Sequence, residues 1–261
     1  MDHKVRAWTE EYYDAGDFFF WSPDKLGHVS ATQHAKRAGA PYPGLRTYAD
    51  VIKWLRRGEE PLNHILGLFF ALAPKRLVER VFEVALGERY PGPFNLLGTD
   101  AWKDLKLDGA TQPDFCFRTE SALLTIEGKV RGGKSRLEQV VKYALLAARG
   151  EAILGAQRCA LIFLTPYPLE GIFPQKFSSW DDVRREAASH IAQMPTTTFI
   201  TMDSVQREAL AGALQTLALG SLTYQQFDEV LAEACGEGAP EVEAKLVDGV
   251  RQELVRRRLV G

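Results

Sequence analysis

Several common signatures are missing from this chain. No P-loop, no Gly-x-Gly-x-x-Gly and no Gly-x-Ser-x-Gly is read in the chain, and neither an ATP motor nor a serine hydrolase is expected. Cysteine is scarce. Cys116, Cys159 and Cys235 are odd in number and lack Cys-x-x-Cys spacing, so no disulfide framework or zinc site is expected; they read as small buried hydrophobes in a reducing cytoplasm. No apolar run is long. The most hydrophobic, Ile65 to Pro74, is too short to span a bilayer, and the opening residues lack an apolar signal core, so no membrane partner and no export are expected. An excess of positive charge is missing too. With a net charge of -2 over 261 residues, any polyanion must be held by a local basic patch on a near-neutral body. His28 and His34 lie six apart, not a ligand spacing, and repeats and low-complexity tracts do not occur. The remaining composition, 46% hydrophobic and 25% charged, is that of an ordinary soluble globular chain.

What is present is concentrated between Gln112 and Tyr143. Residues 122–130 are rich in Leu, Thr, Ile and Val, which suits a strand, and strand side chains alternate faces. Glu127 and Lys129 therefore share a side, with Gly128 leaving its carbonyl uncovered between them. Phe115 to Phe117 reads as the preceding strand and residues 119–121 as the turn, so an antiparallel hairpin brings Asp114 beside Glu127. Paired carboxylates repel unless a cation is shared. Mg²⁺ or Mn²⁺ takes oxygen ligands, and Asp114, Glu127 and the Gly128 carbonyl make half of an octahedron. An ammonium at Lys129 beside that ion would orient or help deprotonate a water, or stabilise charge on a pentacoordinate phosphorus. The competing reading is a solvated strand face, with Asp114 starting a strand or capping a turn.

Pro113-Asp114, Glu127-Gly128-Lys129 and the element Gln139-x-x-x-Tyr143 resemble the PD-(D/E)XK nuclease superfamily, in its RecB-like and lambda-exonuclease-like branch. With flanking elements the resemblance covers about half the chain. It implies a restriction-endonuclease-like αβββαβ core and metal-dependent phosphodiester hydrolysis, most often of DNA and also of RNA. Asp114 and Glu127 would be metal ligands, Lys129 a catalytic amine and Gln139 its support. Families of this kind often add an acid from the helix before the first strand; Glu79 is the candidate and Glu83 the reserve, against a solvated helix face for both.

Gln139 and Tyr143 lie one helical turn apart and point the same way. Gln139 would bond the Lys129 amine or the water. Tyr143 would touch a phosphate or buttress Gln139, or else is a core-edge aromatic. The cations Arg131, Lys134, Arg136 and Lys142 surround a double-glycine loop and form the densest basic cluster, suited to a phosphate backbone.

The remaining chain yields the organisation. Residues 1–60 are expected to be an N-terminal extension packed on the core, with a helix at Thr47 to Arg57. Residues 61–202 are the α/β core, with a mixed central sheet flanked by helices. In it, helices follow Pro61 and are divided at Pro74, and strands fall at Trp102 to Leu107, Arg158 to Thr165 and Thr196 to Met202. A helix runs from Ser179 to Met194. Residues 203–261 are read as a helical segment, with helices at Val205 to Leu219, Leu222 to Ala234 and Pro240 to Val260. The triplet Arg256-Arg257-Arg258 either answers the last helix dipole or touches a phosphate backbone. The rival function, from a different class, is a catalytically inactive binding or scaffold module. A homo-oligomer or a protein partner is compatible with either.

Overall fold

In the computed structural model, residues 7–13, 56, 58–98, 105, 113–130, 132–193, 204–236 and 238–261 are described. The chain is α/β, with a five-stranded mixed sheet in the order β1-β2-β3-β4-β5. The strands are β1 (Asn95–Leu96), β2 (Phe115–Arg118), β3 (Ala122–Gly128), β4 (Arg158–Thr165) and β5 (Ala218–Thr223). The first three pair antiparallel, while β3, β4 and β5 are parallel.

Helices α1 (Glu59–Leu72) and α2 (Lys75–Leu86) come before the sheet. Proline divides them as expected. Pro74 cannot donate to the ladder of the first and instead caps the second, which ends on Gly87 in the left-handed conformation. The crossover between β3 and β4 is α3 (Leu137–Leu154). After β4 come the short α4 (Leu169–Ile172), α5 (Trp180–Gln193) and α6 (Ser204–Thr216). Beyond β5 lie α7 (Tyr224–Ala234) and α8 (Glu241–Arg256). The described order from α2 to β4 is thus helix, three strands, helix, strand.

Strand alternation splits the core into two layers. Cys116, Leu123, Leu161, Phe163 and Leu219 face α3, α5 and α6. Phe115, Phe117, Leu124, Ile126, Ile162 and Leu222 face α1, α2, α7 and α8. Strand β4, paired on both sides, is buried from Ala160 onward, which explains why its sequence reads as one apolar run. Aromatic contacts set the helix positions. The Phe70 ring lies 5.1 Å from Phe115 and 5.5 Å from Phe117, locking α1 onto β2 and carrying Asn63, two turns earlier on the same helix, to the start of that strand.

Three expectations need revision or fall elsewhere. The segment after residue 203 is not helical throughout. The expected helix stops at Thr216, and Ala218–Thr223 forms β5 instead. Its Gly220 and Ser221 obscure any strand pattern, but β4 offers an open parallel edge, and Gly220 lets α2 come down on it. A Cβ there would sit 2.3 Å from the Ala85 carbonyl oxygen. Gly220→Ala is therefore expected to destabilise the protein by about 1–3 kcal/mol, read as a lowered midpoint in urea unfolding. The strands expected at Trp102 to Leu107 and Thr196 to Met202 lie outside the described residues apart from Leu105, which is buried. The helix expected at Thr47 to Arg57 is likewise undescribed except at Arg56, which is helical, and His28 and His34 fall in the same undescribed stretch.

Two members of the arginine triplet are engaged within the chain, while Arg258 is exposed. Arg257 is paired with fully buried Glu253, donates to the Gly58 carbonyl at 2.8 Å and to Tyr13 Oη at 3.0 Å. Arg256 is paired with Glu253 and Glu10. Together with Trp8, which donates to the Leu246 carbonyl at 3.0 Å, these bonds fasten residues 8–13 to α8 and hold the start of α1. Among the described residues no helix is long and apolar enough to cross a membrane.

Candidate functional site

The site forms where β3 ends. The hairpin register pairs Phe115 with Ile126, and one step further Asp114 lies opposite Glu127. The turn is closed by Thr119, whose hydroxyl accepts from the Ala122 N–H at 3.0 Å. Asp114 is held twice: Oδ2 accepts from the Gly128 N–H at 2.7 Å and Oδ1 from Asn63 Nδ2 at 2.7 Å. Gly128 is needed for this contact, because a Cβ would lie 2.9 Å from Asn63 Oδ1.

Lys129 and Glu127 share a side as the alternation requires. Lys129 Nζ lies 2.8 Å from Glu127 Oε1 and 2.9 Å from Glu59 Oε1. The Lys129 and Glu127 side chains are only 11% and 7% exposed, so each of them needs its partner strongly. Gln139 and Tyr143 point into the site from α3, but not at the groups expected. Gln139 Nε2 donates to Glu127 Oε1 and the Tyr143 hydroxyl to Glu127 Oε2. The partner of Gln139 is thus Glu127 rather than the Lys129 amine, and that of Tyr143 is Glu127 rather than Gln139. The helix brings its i, i+4 pair to the carboxylate because α3 crosses directly over β3.

Electrostatics follow from burial. Burial, and then the Glu127 charge, push the Asp114 carboxyl up to about 8, against the pull of the Gly128 N–H and the Lys129 ammonium. Burial disfavours the Lys129 ammonium, yet Glu127 and Glu59 outweigh it and hold its pKa above the ordinary lysine value. Lys129 is therefore held as a charged donor at neutral pH. Burial and Glu127 likewise hold the Tyr143 hydroxyl protonated.

Two expectations from the sequence are corrected. Glu79 and Glu83 sit on α2 facing Arg89, at 3.9 and 3.5 Å, and the helical acid that reaches Lys129 is Glu59 on α1. Both Glu59 and Asn63 were missed. Their spacing of four on one helix upstream of the hairpin was the available signal. The basic cluster is partly present: Lys134 and Arg136 are exposed beside the start of α3 and Lys142 is half-buried on it, while Arg131 lies outside the described residues.

The loop overturns the reading that no P-loop pattern is present. Gly128 to Ser135 reads Gly-Lys-Val-Arg-Gly-Gly-Lys-Ser, the spacing of a phosphate-cradling loop, and it links a strand to a helix as such loops do. Its amides are spent within the chain, however. Gly132 N–H donates to Tyr167 Oη at 2.8 Å, Gly133 to the Val130 carbonyl at 3.0 Å and Ser135 to the Ile172 carbonyl at 2.8 Å. The helix starts only at Leu137. A nucleotide phosphate would have to displace these bonds.

The donor chemistry suits a hard dication. Glu59, Asp114 and Glu127 are carboxylates gathered around one ammonium, so in ionised form they carry an excess of negative charge. Asn63 Oδ1 is buried without a hydrogen-bond partner, as is the Tyr224 hydroxyl, and a buried orphan oxygen calls for a donor or a cation. All these donors are oxygen, as Mg²⁺ prefers. Among the described residues no three His, Cys, Asp or Glu side chains are arranged to hold a metal; the acids are instead braced on Lys129, Gln139, Tyr143 and Asn63. No protein-family model, characterised protein or solved structure matches the chain.

Proposed function

We propose that the protein is a Mg²⁺- or Mn²⁺-dependent nuclease of the PD-(D/E)XK type, hydrolysing phosphodiester bonds of DNA, with RNA as the second substrate, in the cytoplasm. The observation that carries this reading is the meeting of Asp114, Glu127 and Lys129 at the end of β3, joined by Glu59. Asp114, Glu127 and the Gly128 carbonyl would hold the ion, with Glu59 in the role first given to Glu79. When bound, the dication acts as a Lewis acid on the phosphoryl oxygens and lowers the pKa of a water. Asn63 and the Gly128 N–H fix the Asp114 carboxylate, and Gln139 and Tyr143 fix that of Glu127. Lys129 donates a charged hydrogen bond toward the oxygens that gain charge as the phosphorus is attacked. Lys134, Arg136, Lys142 and Arg131 neutralise the neighbouring phosphates.

A non-catalytic nucleic-acid-binding or scaffold module is the second reading. Its support is that both Glu127 oxygens already accept hydrogen bonds. Incubating plasmid, linear duplex, single-stranded DNA and RNA with Mg²⁺, Mn²⁺ or EDTA separates the two. Cleavage with metal only is expected. Glu59→Gln should slow it at least about tenfold and Glu79→Gln should leave it unchanged; salt-sensitive binding without any cleavage would establish the scaffold.

A further inference from the structure

The two sides of the β3 end differ in chemistry. On the α3 side stand the exposed cations Lys134 and Arg136. On the α1 side an open groove of about 880 Å³ is lined by Tyr12, His64, Leu68, Leu96 and the site acids Glu59 and Asp114. Its described lining includes two carboxylates and no lysine or arginine.

The groove wall is aromatic and ordered. Tyr12 Oη lies 3.1 Å from His64 Nδ1, with the rings edge to face at 6.5 Å. One turn on from His64, Leu68 is 47% exposed, so that α1 presents an imidazole and an apolar side chain in line beside Asp114. The size is that of a site for a small organic group.

Resting on the nuclease reading, we infer that this groove receives an unpaired base of a single-stranded nucleic acid. The backbone then crosses the end of β3 toward Lys134 and Arg136. A base is neutral and offers a π-face to Tyr12 and His64, whatever its identity. A base paired inside a duplex keeps both faces in the stack and cannot enter the groove, so a duplex is not expected to use it.

The test uses the full chain with fluorescein-labelled 12-nucleotide single strands of DNA and of RNA and the corresponding duplexes. Binding is followed in Ca²⁺ and cleavage in Mg²⁺. Single strands are expected to bind and to be cut in preference to duplexes, the two single-stranded arms deciding between DNA and RNA. Tyr12→Ala should weaken single-strand binding about tenfold and Tyr12→Trp should preserve it. Because Tyr12 is half-buried, Leu68→Glu is the second variant: the position is exposed, the fold tolerates it, and the added carboxylate should weaken single-strand binding comparably. Equal or better use of duplexes, or indifference of single-strand binding to both variants, overturns the inference. Duplex cleavage that depends on Lys129 but not on the groove would reject the groove assignment and keep the nuclease. Tyr12-dependent binding with no cleavage anywhere would reject the nuclease and keep the groove. Failure to bind any strand would overturn both.

Discussion

Asp114→Asn is expected to abolish metal-dependent cleavage, by at least about a hundredfold, while raising the melting temperature of the metal-free protein at pH 9 by several degrees. The sign follows from where the proton sits. Burial and Glu127 raise the Asp114 carboxyl from 3.8 to about 8. Below the unfolded value both states hold the proton and its contribution to stability is complete. As pH rises from there through about 8, the unfolded chain has released a proton that the folded chain retains, and the contribution is lost. Asparagine imitates the neutral form and removes this slope. It also keeps the local bonds: the Gly128 N–H finds the new amide oxygen, and a half-turn of the Asn63 amide lets its unpartnered oxygen accept from the new amide nitrogen. Thermal melts in EDTA from pH 5 to 9 check this, and an unchanged slope in the variant would refute the assignment of the titration to Asp114. Added Mg²⁺ should restore the parent at high pH, by about 2.7 kcal/mol at a hundred times Kd, and do little for the variant.

Lys129→Met separates chemistry from metal holding. Its ammonium lies within 2.9 Å of two carboxylates, and removing one member of a buried ion pair destabilises by about 3–5 kcal/mol. A second change, Glu127→Gln, should return most of that stability and none of the activity. Cleavage by Lys129→Met should fall at least about a hundredfold, yet the Mg²⁺ concentration giving half-maximal binding should not rise, because the variant withdraws a positive charge from the acids. A weakened metal affinity with cleavage intact at saturating Mg²⁺ would show that Lys129 only organises the acids. The pH profile adds a further check. A lysine with a raised pKa stays charged across the neutral range, so no limb near neutrality should vanish in this variant.

Local pattern determined a good deal about this chain. The alternation of 122–128 placed Glu127 with Lys129, the turn at Thr119 put Asp114 across from Glu127, and the spacing of Gln139 and Tyr143 aligned both on one helical face. Proline at 74 and the apolar run of β4 were also legible, because each depends on the backbone within one element or on burial of the whole strand. What tertiary packing alone decided is which groups from separate elements meet. Glu59 rather than Glu79 reaches Lys129 because the Phe70 contacts dock α1 on β2 with its first turn at the site, while Glu79 on α2 faces Arg89. Gln139 and Tyr143 bond Glu127 because of how α3 lies across β3. Ala218–Thr223 becomes a strand because β4 offers an unpaired parallel edge and Gly220 admits α2. Periodicity orients a side chain relative to its own axis; distances between axes are set by which apolar faces fill each other, and that is a property of the assembled layers.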